Sequence, residues 1–121
     1  MKKILLIDDD PSILLLLKEV FPKEEYLLEY ARDGDEGLTK VKEIHPDVIV
    51  LDILMPVMNG FEFLDMIKAD EKFKLIPIVV YSILQDEKDV ETAFDKGAVS
   101  YIQKEQSEPK DVLQKVHEIV H

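Results

Sequence analysis

The sequence contains no cysteine, a single arginine (Arg32), and no apolar run long enough to cross a bilayer. Without cysteine, disulfide frameworks, thiolate metal centres and thiol nucleophiles are excluded. A membrane span needs about 18 or more consecutive apolar residues. Low-complexity segments and Gly/Ser linkers are also missing. Positive charge is scarce, with 15 Lys+Arg against 26 Asp+Glu and a net charge of −11. A surface of that sign repels nucleic acid and anionic membranes, so neither is an expected direct partner. The opening Met1-Lys2-Lys3 followed by Ile4–Ile7 looks superficially like a secretory leader. Its apolar run stops at Asp8, too early for a leader, and the expected location is the cytoplasm.

What is present is an ordinary globular balance. The chain has 121 residues, 46% hydrophobic and 34% charged, which suits one domain, 1–121, with a full core. Apolar runs begin near Ile4, Tyr26, Val48, Ile76 and Val99, and segments of helical periodicity lie between them. That alternation predicts βαβ units around a parallel sheet. Ile4–Ile7, Val48–Leu51 and Ile76–Val80 are almost wholly apolar, as strands covered on both faces are. Tyr26–Ala31 and Val99–Ile102 are mixed and suit sheet edges. Apolar stripes predict five helices, carried by Ile13, Leu14, Leu17, Val20 and Phe21, by Leu38, Val41 and Ile44, by Phe61, Leu64 and Ile67, by Val90, Ala93 and Phe94, and by Val112, Leu113, Val116, Ile119 and Val120. Asp10 before Pro11 is an N-cap with proline at the first helical position. Ser107 is expected to cap the last helix, and Gly97 to end the fourth in a left-handed conformation. The expected fold is α/β, a doubly wound five-stranded parallel sheet in flavodoxin-like order 2-1-3-4-5.

In such a fold, ligands sit beyond the carboxyl ends of the strands. Asp8, Asp9 and Asp10 follow the first strand, Asp52 the third, Ser82 ends the fourth, and Lys104 follows the fifth. These residues should converge at one sheet edge. Two carboxylates about 4 Å apart repel by roughly 4 kcal/mol at an effective dielectric near 20. Protonation or a bound divalent cation would relieve this. Oxygen ligands without histidine or cysteine suit Mg²⁺ or Mn²⁺. Carboxylate, Mg²⁺, hydroxyl and lysine together make a phosphoryl-handling site, and an aspartate can act as nucleophile through an acyl phosphate. Asp10 reads as a helix cap. Met55, Met58 and Phe61 read as packing residues, and His45, His117 and His121 as surface histidines.

Four motifs carry a resemblance that covers essentially the whole chain. Asp52-Ile-Leu-Met-Pro-Val-Met-Asn-Gly60 resembles the phosphoacceptor loop of receiver domains of two-component response regulators. Leu5–Ser12 resembles their acidic opening, Val79–Ser82 the strand carrying the switch Thr/Ser, and Gly97–Lys104 the segment ending in the family's lysine. The resemblance implies that Asp52 takes a phosphoryl group from a sensor histidine kinase or a phosphotransfer protein. It implies Mg²⁺ (or Mn²⁺) held by Asp9, Asp52 and the Leu54 backbone carbonyl, with Asp8 acting through water. Lys104 would contact the phosphoryl group, Ser82 would swing towards it, and Tyr101 would rotate inward as a linked switch. The face built from the fourth helix, fifth strand and fifth helix would engage an output partner or effector domain, with homodimerisation on activation left open. The chain would catalyse only its own phosphorylation and dephosphorylation.

Two positions depart from the family pattern. Glu105 follows Lys104 where proline is usual, so the peptide bond is either trans, with Lys104 aimed differently, or strained. Ile83 follows Ser82 where alanine or glycine is favoured, and with Leu54 and Leu84 it should form an apolar rim. A competing reading is therefore a receiver-like interaction module that works without phosphorylation. A Mg²⁺-dependent phosphatase would need an acid two residues after Asp52, where Leu54 stands. A flavin-binding flavodoxin would not place Asp-Asp-Asp-Pro where phosphate binds.

Overall fold

The apolar runs become strands and the striped segments become helices. The computed structural model describes residues 1–121 as β1 (Lys2–Ile7), α1 (Pro11–Val20), β2 (Tyr26–Ala31), α2 (Gly34–Ile44), β3 (Val48–Leu51), α3 (Gly60–Lys68), β4 (Ile78–Ser82), α4 (Glu87–Asp95), β5 (Ser100–Gln103) and α5 (Pro109–Val120). A 3-10 turn, Lys104–Gln106, joins β5 to the last helix segment. The five strands are parallel, in the order β2-β1-β3-β4-β5.

Because side chains alternate along a strand, each central strand feeds two cores. Ile4, Leu6, Val48, Val50, Val79 and Tyr81 pack on one face with Ile13, Leu17, Val112 and Val116 of α1 and α5. Leu5, Ile7, Ile49, Leu51 and Ile78 pack on the other with Val41, Phe63, Leu64 and Ile67 of α2 and α3. A smaller cluster of Ile53, Val80, Ala93 and Ala98 seats α4. No helix is long and apolar enough to cross a membrane.

Local chemistry sets the element ends. The Asp10 side chain accepts from the Ser12 amide, and Pro11 opens α1 as expected. Asn59 and Glu62 form a reciprocal capping box at α3. Gly97, at φ 105, ends α4 in a conformation that glycine adopts without penalty. Asp47 accepts from the Lys3 amide while its own amide donates to the Lys3 carbonyl, which locks β3 against β1.

Three sequence expectations shift. The fourth strand starts at Ile78, because Pro77 has no amide to donate, although its carbonyl accepts from Ile49. Ser107 does not cap α5. Its hydroxyl donates to the Gln103 carbonyl at 2.7 Å, and Glu108 takes the cap position, its amide donating to Asp111. Pro109 at the first helical position moves the cap one residue along. Phe94 is 46% exposed, since α4 buries only Ala93.

Gly60 permits the closest approach in the fold. A Cβ there would lie 2.5 Å from the Asp52 carbonyl oxygen and 2.7 Å from Ile53 Cα, both backbone atoms that cannot rotate away. Gly60→Ala should therefore cost about 1–3 kcal/mol, read as a lower urea midpoint at unchanged m-value. A loss below about 0.5 kcal/mol, the range of a neutral surface change, would show that the loop relaxes freely.

Candidate functional site

The sheet itself aims the acids. Beyond the end of β1, the Asp8 amide donates to the Ala31 carbonyl, and beyond β3 the Asp52 amide donates to the Ile7 carbonyl. Both backbones are thus held by extensions of the ladder rather than by loops. Ser82 closes β4 opposite Gln103, and Lys104 is the first residue after β5. The four strand ends bring Asp8, Asp9, Asp52, Ser82 and Lys104 to one edge, as the sequence predicts.

Burial at that edge is deep. Asp8 and Ser82 are 0% exposed and Asp52 is 5% exposed, while Asp9 faces solvent. The Lys104 ammonium bridges the buried pair, with Nζ 2.7 Å from Asp8 Oδ2 and 3.5 Å from Asp52 Oδ2. It also lies 5.7 Å from the centre of the Tyr81 ring. Asp8 Oδ1 accepts from the Asp10 amide, Asp52 Oδ1 from the Leu54 amide, and Ser82 Oγ from the Leu84 amide. No buried side-chain nitrogen or oxygen is left without a partner.

These contacts do not fully offset the cost of burial. Burial pushes the Asp8 carboxyl above its ordinary range, against the hydrogen bonds from Lys104 and the Asp10 amide. Burial likewise raises Asp52, opposed by the Lys104 charge, the Ser82 hydroxyl and the Leu54 amide. Lys104 shifts upward too, because the two carboxylates outweigh the burial that would lower it. One ammonium serves two buried carboxylates, and the Asp9 carboxylate lies close to that pair.

Carboxylate oxygens of Asp8, Asp9 and Asp52 lie within 4.8 Å of one another. An all-oxygen set with excess negative charge fits a hard divalent cation such as Mg²⁺ or Mn²⁺. The Leu54 carbonyl belongs to the same turn. The Lys104–Glu105 bond is trans, as is every peptide bond in the chain, and Lys104 still reaches both acids. The Glu105 carboxylate accepts from Gln85 at 3.2 Å, and the carboxylates paired with Lys104 are those of Asp8 and Asp52.

Tyr101 is half-buried beside the Ile53–Val80–Ala93–Ala98 cluster, with its hydroxyl donating to the Leu84 carbonyl at 2.9 Å. The ring thus already ties β5 to the loop after Ser82. Leu84 packs on the same cluster, so the apolar rim consists of Leu54 and Ile83, 46% and 49% exposed. Two features were not legible in the sequence. Tyr30 donates to the Asp8 carbonyl at 2.6 Å, and a tyrosine in a mixed edge strand signals no such role. Val57 has φ 69 between Pro56 and Met58, whose carbonyl and amide bond at 2.7 Å. A β-branched residue there is a strained outlier.

The arrangement has close counterparts. Residues 4–117 match the family model of the response regulator receiver domain. The nitrate/nitrite response regulator protein NarL of Escherichia coli K12 is 38% identical over 117 residues, covering 95% of this chain and 53% of NarL. The chain spans about half the length of the curated relatives it matches. Chemotaxis protein CheY4 of Vibrio cholerae superposes with a TM-score of 0.88 at 29% identity, covering 98% of each chain. The Mn²⁺-bound form of response regulator Rcp1 superposes at 0.81 and 29% identity, covering 98% of this chain and 91% of Rcp1.

A raised carboxyl pKa means that the folded state binds more protons than the unfolded state between the two pKa values. Stability then falls as pH rises through that window, and the penalty is fully present above it. Asp52→Asn should therefore stabilise the metal-free protein at pH 7, by about 0.5–2 kcal/mol. The gain should shrink as pH falls towards the ordinary carboxylate range. Thermal melts at several pH values check this, and an Asn variant less stable at pH 7 would contradict it.

Proposed function

The chain belongs to the receiver-domain family of two-component response regulators, and on that premise we propose that it is a phosphoryl-operated signalling switch with Asp52 as the acceptor. The observation that carries this reading is the Lys104 bridge between buried Asp8 and Asp52, beside the carboxylate of Asp9. An aspartate so placed has an oxygen facing both an ammonium and the convergent carboxylates. The other oxygen is oriented by the Leu54 amide.

In the proposed reaction an Asp52 carboxylate oxygen attacks the phosphorus of a phosphohistidine, and the P–N bond breaks to release the imidazole. The donor is a sensor histidine kinase or a phosphotransfer protein. Lys104 meets a phosphoryl oxygen, and the Ser82 hydroxyl, whose oxygen accepts from the Leu84 amide, donates its proton to another. Asp9, Asp52 and the Leu54 carbonyl would hold Mg²⁺, with Asp8 acting through water. When bound, the ion would neutralise charge on the transferring group; a structural neighbour of this chain, response regulator Rcp1, has a Mn²⁺-bound form.

Acyl phosphate formation adds charge and acceptor oxygens, which bias a two-state element. That element is the Ser82–Gln85 loop. Tyr101 reads its position through the Leu84 carbonyl, and the α4–β5–α5 face passes the change to an output partner. In this reading residues 1–121 are the receiver unit, acting in the cytoplasm. Effector activity belongs to an output partner or effector domain outside residues 1–121.

Incubation with Mg²⁺ and a small acyl-phosphate donor should add one phosphoryl group, seen by intact mass, to the wild type and not to Asp52→Asn. If neither the small donor nor a phosphorylated kinase gives an adduct, the chain works as a binding module without phosphorylation. The Leu54 and Ile83 rim should slow attack by water on the acyl phosphate. Ile83→Ala and Leu54→Glu should each shorten its lifetime severalfold, and unchanged decay in both would remove the rim from the account.

A further inference from the structure

The far edge of the sheet carries a second cluster that the phosphoryl site does not use. α5 ends in His117 and His121, one turn apart, with the His121 amide donating to the His117 carbonyl. Their rings lie with centroids 4.3 Å apart and an interplanar angle of 32°. Residues four apart on a helix share a face, and two histidines at that spacing are a known chelating arrangement.

Tyr26 organises the pair. It is the first residue of β2, 4% exposed, and its ring is held edge-on by Phe21 at 5.2 Å. Its hydroxyl lies 3.2 Å from His117 Nδ1, and its ring meets His121 edge-on at 6.4 Å. In the tautomer whose Nδ1–H donates to the phenol oxygen, the lone pair open to a metal is on His117 Nε2. Ligating histidines are typically oriented in this way by a partner on the other ring nitrogen. Burial, aided by Glu25, pushes the Tyr26 hydroxyl up, so it stays a neutral phenol able to accept.

The surroundings favour a cation. Both rings sit at a helix C-terminus, where the backbone carries partial negative charge, on a chain of net charge −11. Zinc–imidazole bonds of about 2.0–2.1 Å place two nitrogens on one ion about 3 Å apart. With centroids 4.3 Å apart, the two rings would share an ion by turning one nitrogen each towards it.

We infer that His117 and His121, oriented by Tyr26, form a second metal site for a borderline transition ion such as Zn²⁺ or Cu²⁺, at the opposite sheet edge from Asp8, Asp9 and Asp52. The site is a two-imidazole chelate completed by water, chemically distinct from an oxygen site for Mg²⁺. A bound ion would clip the last turn of α5 in place beside the β2 edge.

The test is calorimetric titration of the untagged chain with Zn²⁺ and with Cu²⁺ in a large excess of Mg²⁺, so that the oxygen site does not compete. One ion should bind per chain. His117→Ala and His121→Ala should each weaken binding at least about tenfold, and Tyr26→Phe by a smaller factor that leaves the stoichiometry intact. His45→Asn, at the remaining histidine, should change nothing. Zinc should also raise the melting temperature of the wild type and not of His121→Ala. Binding that is absent, or unchanged in either histidine variant, would overturn the site and leave a merely stacked imidazole pair. Neither result bears on phosphoryl uptake at Asp52.

Discussion

Lys104 stands between two carboxylates that the sheet buries, and much of this structure can be understood from that one placement. Asp8 and Asp52 cannot retreat into solvent, because ladder hydrogen bonds to Ala31 and Ile7 fix their backbones. A single ammonium at 2.7 and 3.5 Å offsets part of the cost of burying them. The remainder shows as carboxyl groups shifted upward by burial. A site held in this condition is poised for added positive charge, and Asp9 at its solvent side supplies a third set of oxygens. Fold stability and cation affinity are thus set against each other by the same four side chains.

The loops around that edge are arranged so that a change at Asp52 is felt elsewhere. The Leu54 amide reads one Asp52 oxygen, and the strained turn at Val57 leads directly into the Asn59 cap of α3. On the other side, Ser82 accepts from Leu84, Leu84 accepts from Tyr101, and Gln85 bonds to Glu105. The loop after β4 is therefore tied to β5 by one phenol and to the following turn by one amide. The first tie is one hydrogen bond and the second two, Gln85 donating to Glu105 and accepting from Gln106, and each bond is worth only about 0.5–1.5 kcal/mol net. A phosphoryl group that draws Ser82 away competes with bonds of that size and not with the packed core.

Much of this was legible in the sequence, for a physical reason. Strands buried on both faces must be apolar throughout, so Asp8, Asp52 and Ser82 at the ends of such runs stood out, and parallel topology put all strand ends on one edge. Tyr26–Ala31 and Val48–Leu51 appear with the bounds the sequence suggests. Less legible were features that depend on side-chain reach. Tyr30 gave no signal of its bond to Asp8. Leu84 reads as part of an open rim but packs inward, and nothing in the sequence marks the bond between Glu105 and Gln85. The cap at α5 moved from Ser107 to Glu108 because Pro109 fixes where the helix starts. His117 and His121, read from sequence as surface histidines, acquire a shared partner only when β2 places Tyr26 beside them.

The central claim is that burial leaves the Asp8 and Asp52 carboxyls short of positive charge, which Lys104 only partly supplies. The most direct measurement follows their side-chain carboxyl carbons by ¹³C NMR through a pH titration, with and without Mg²⁺. The account predicts that both titrate above the ordinary carboxylate range in the metal-free protein and fall when Mg²⁺ is present. Carboxyls that titrate in the ordinary range, and do not respond to Mg²⁺, would contradict it.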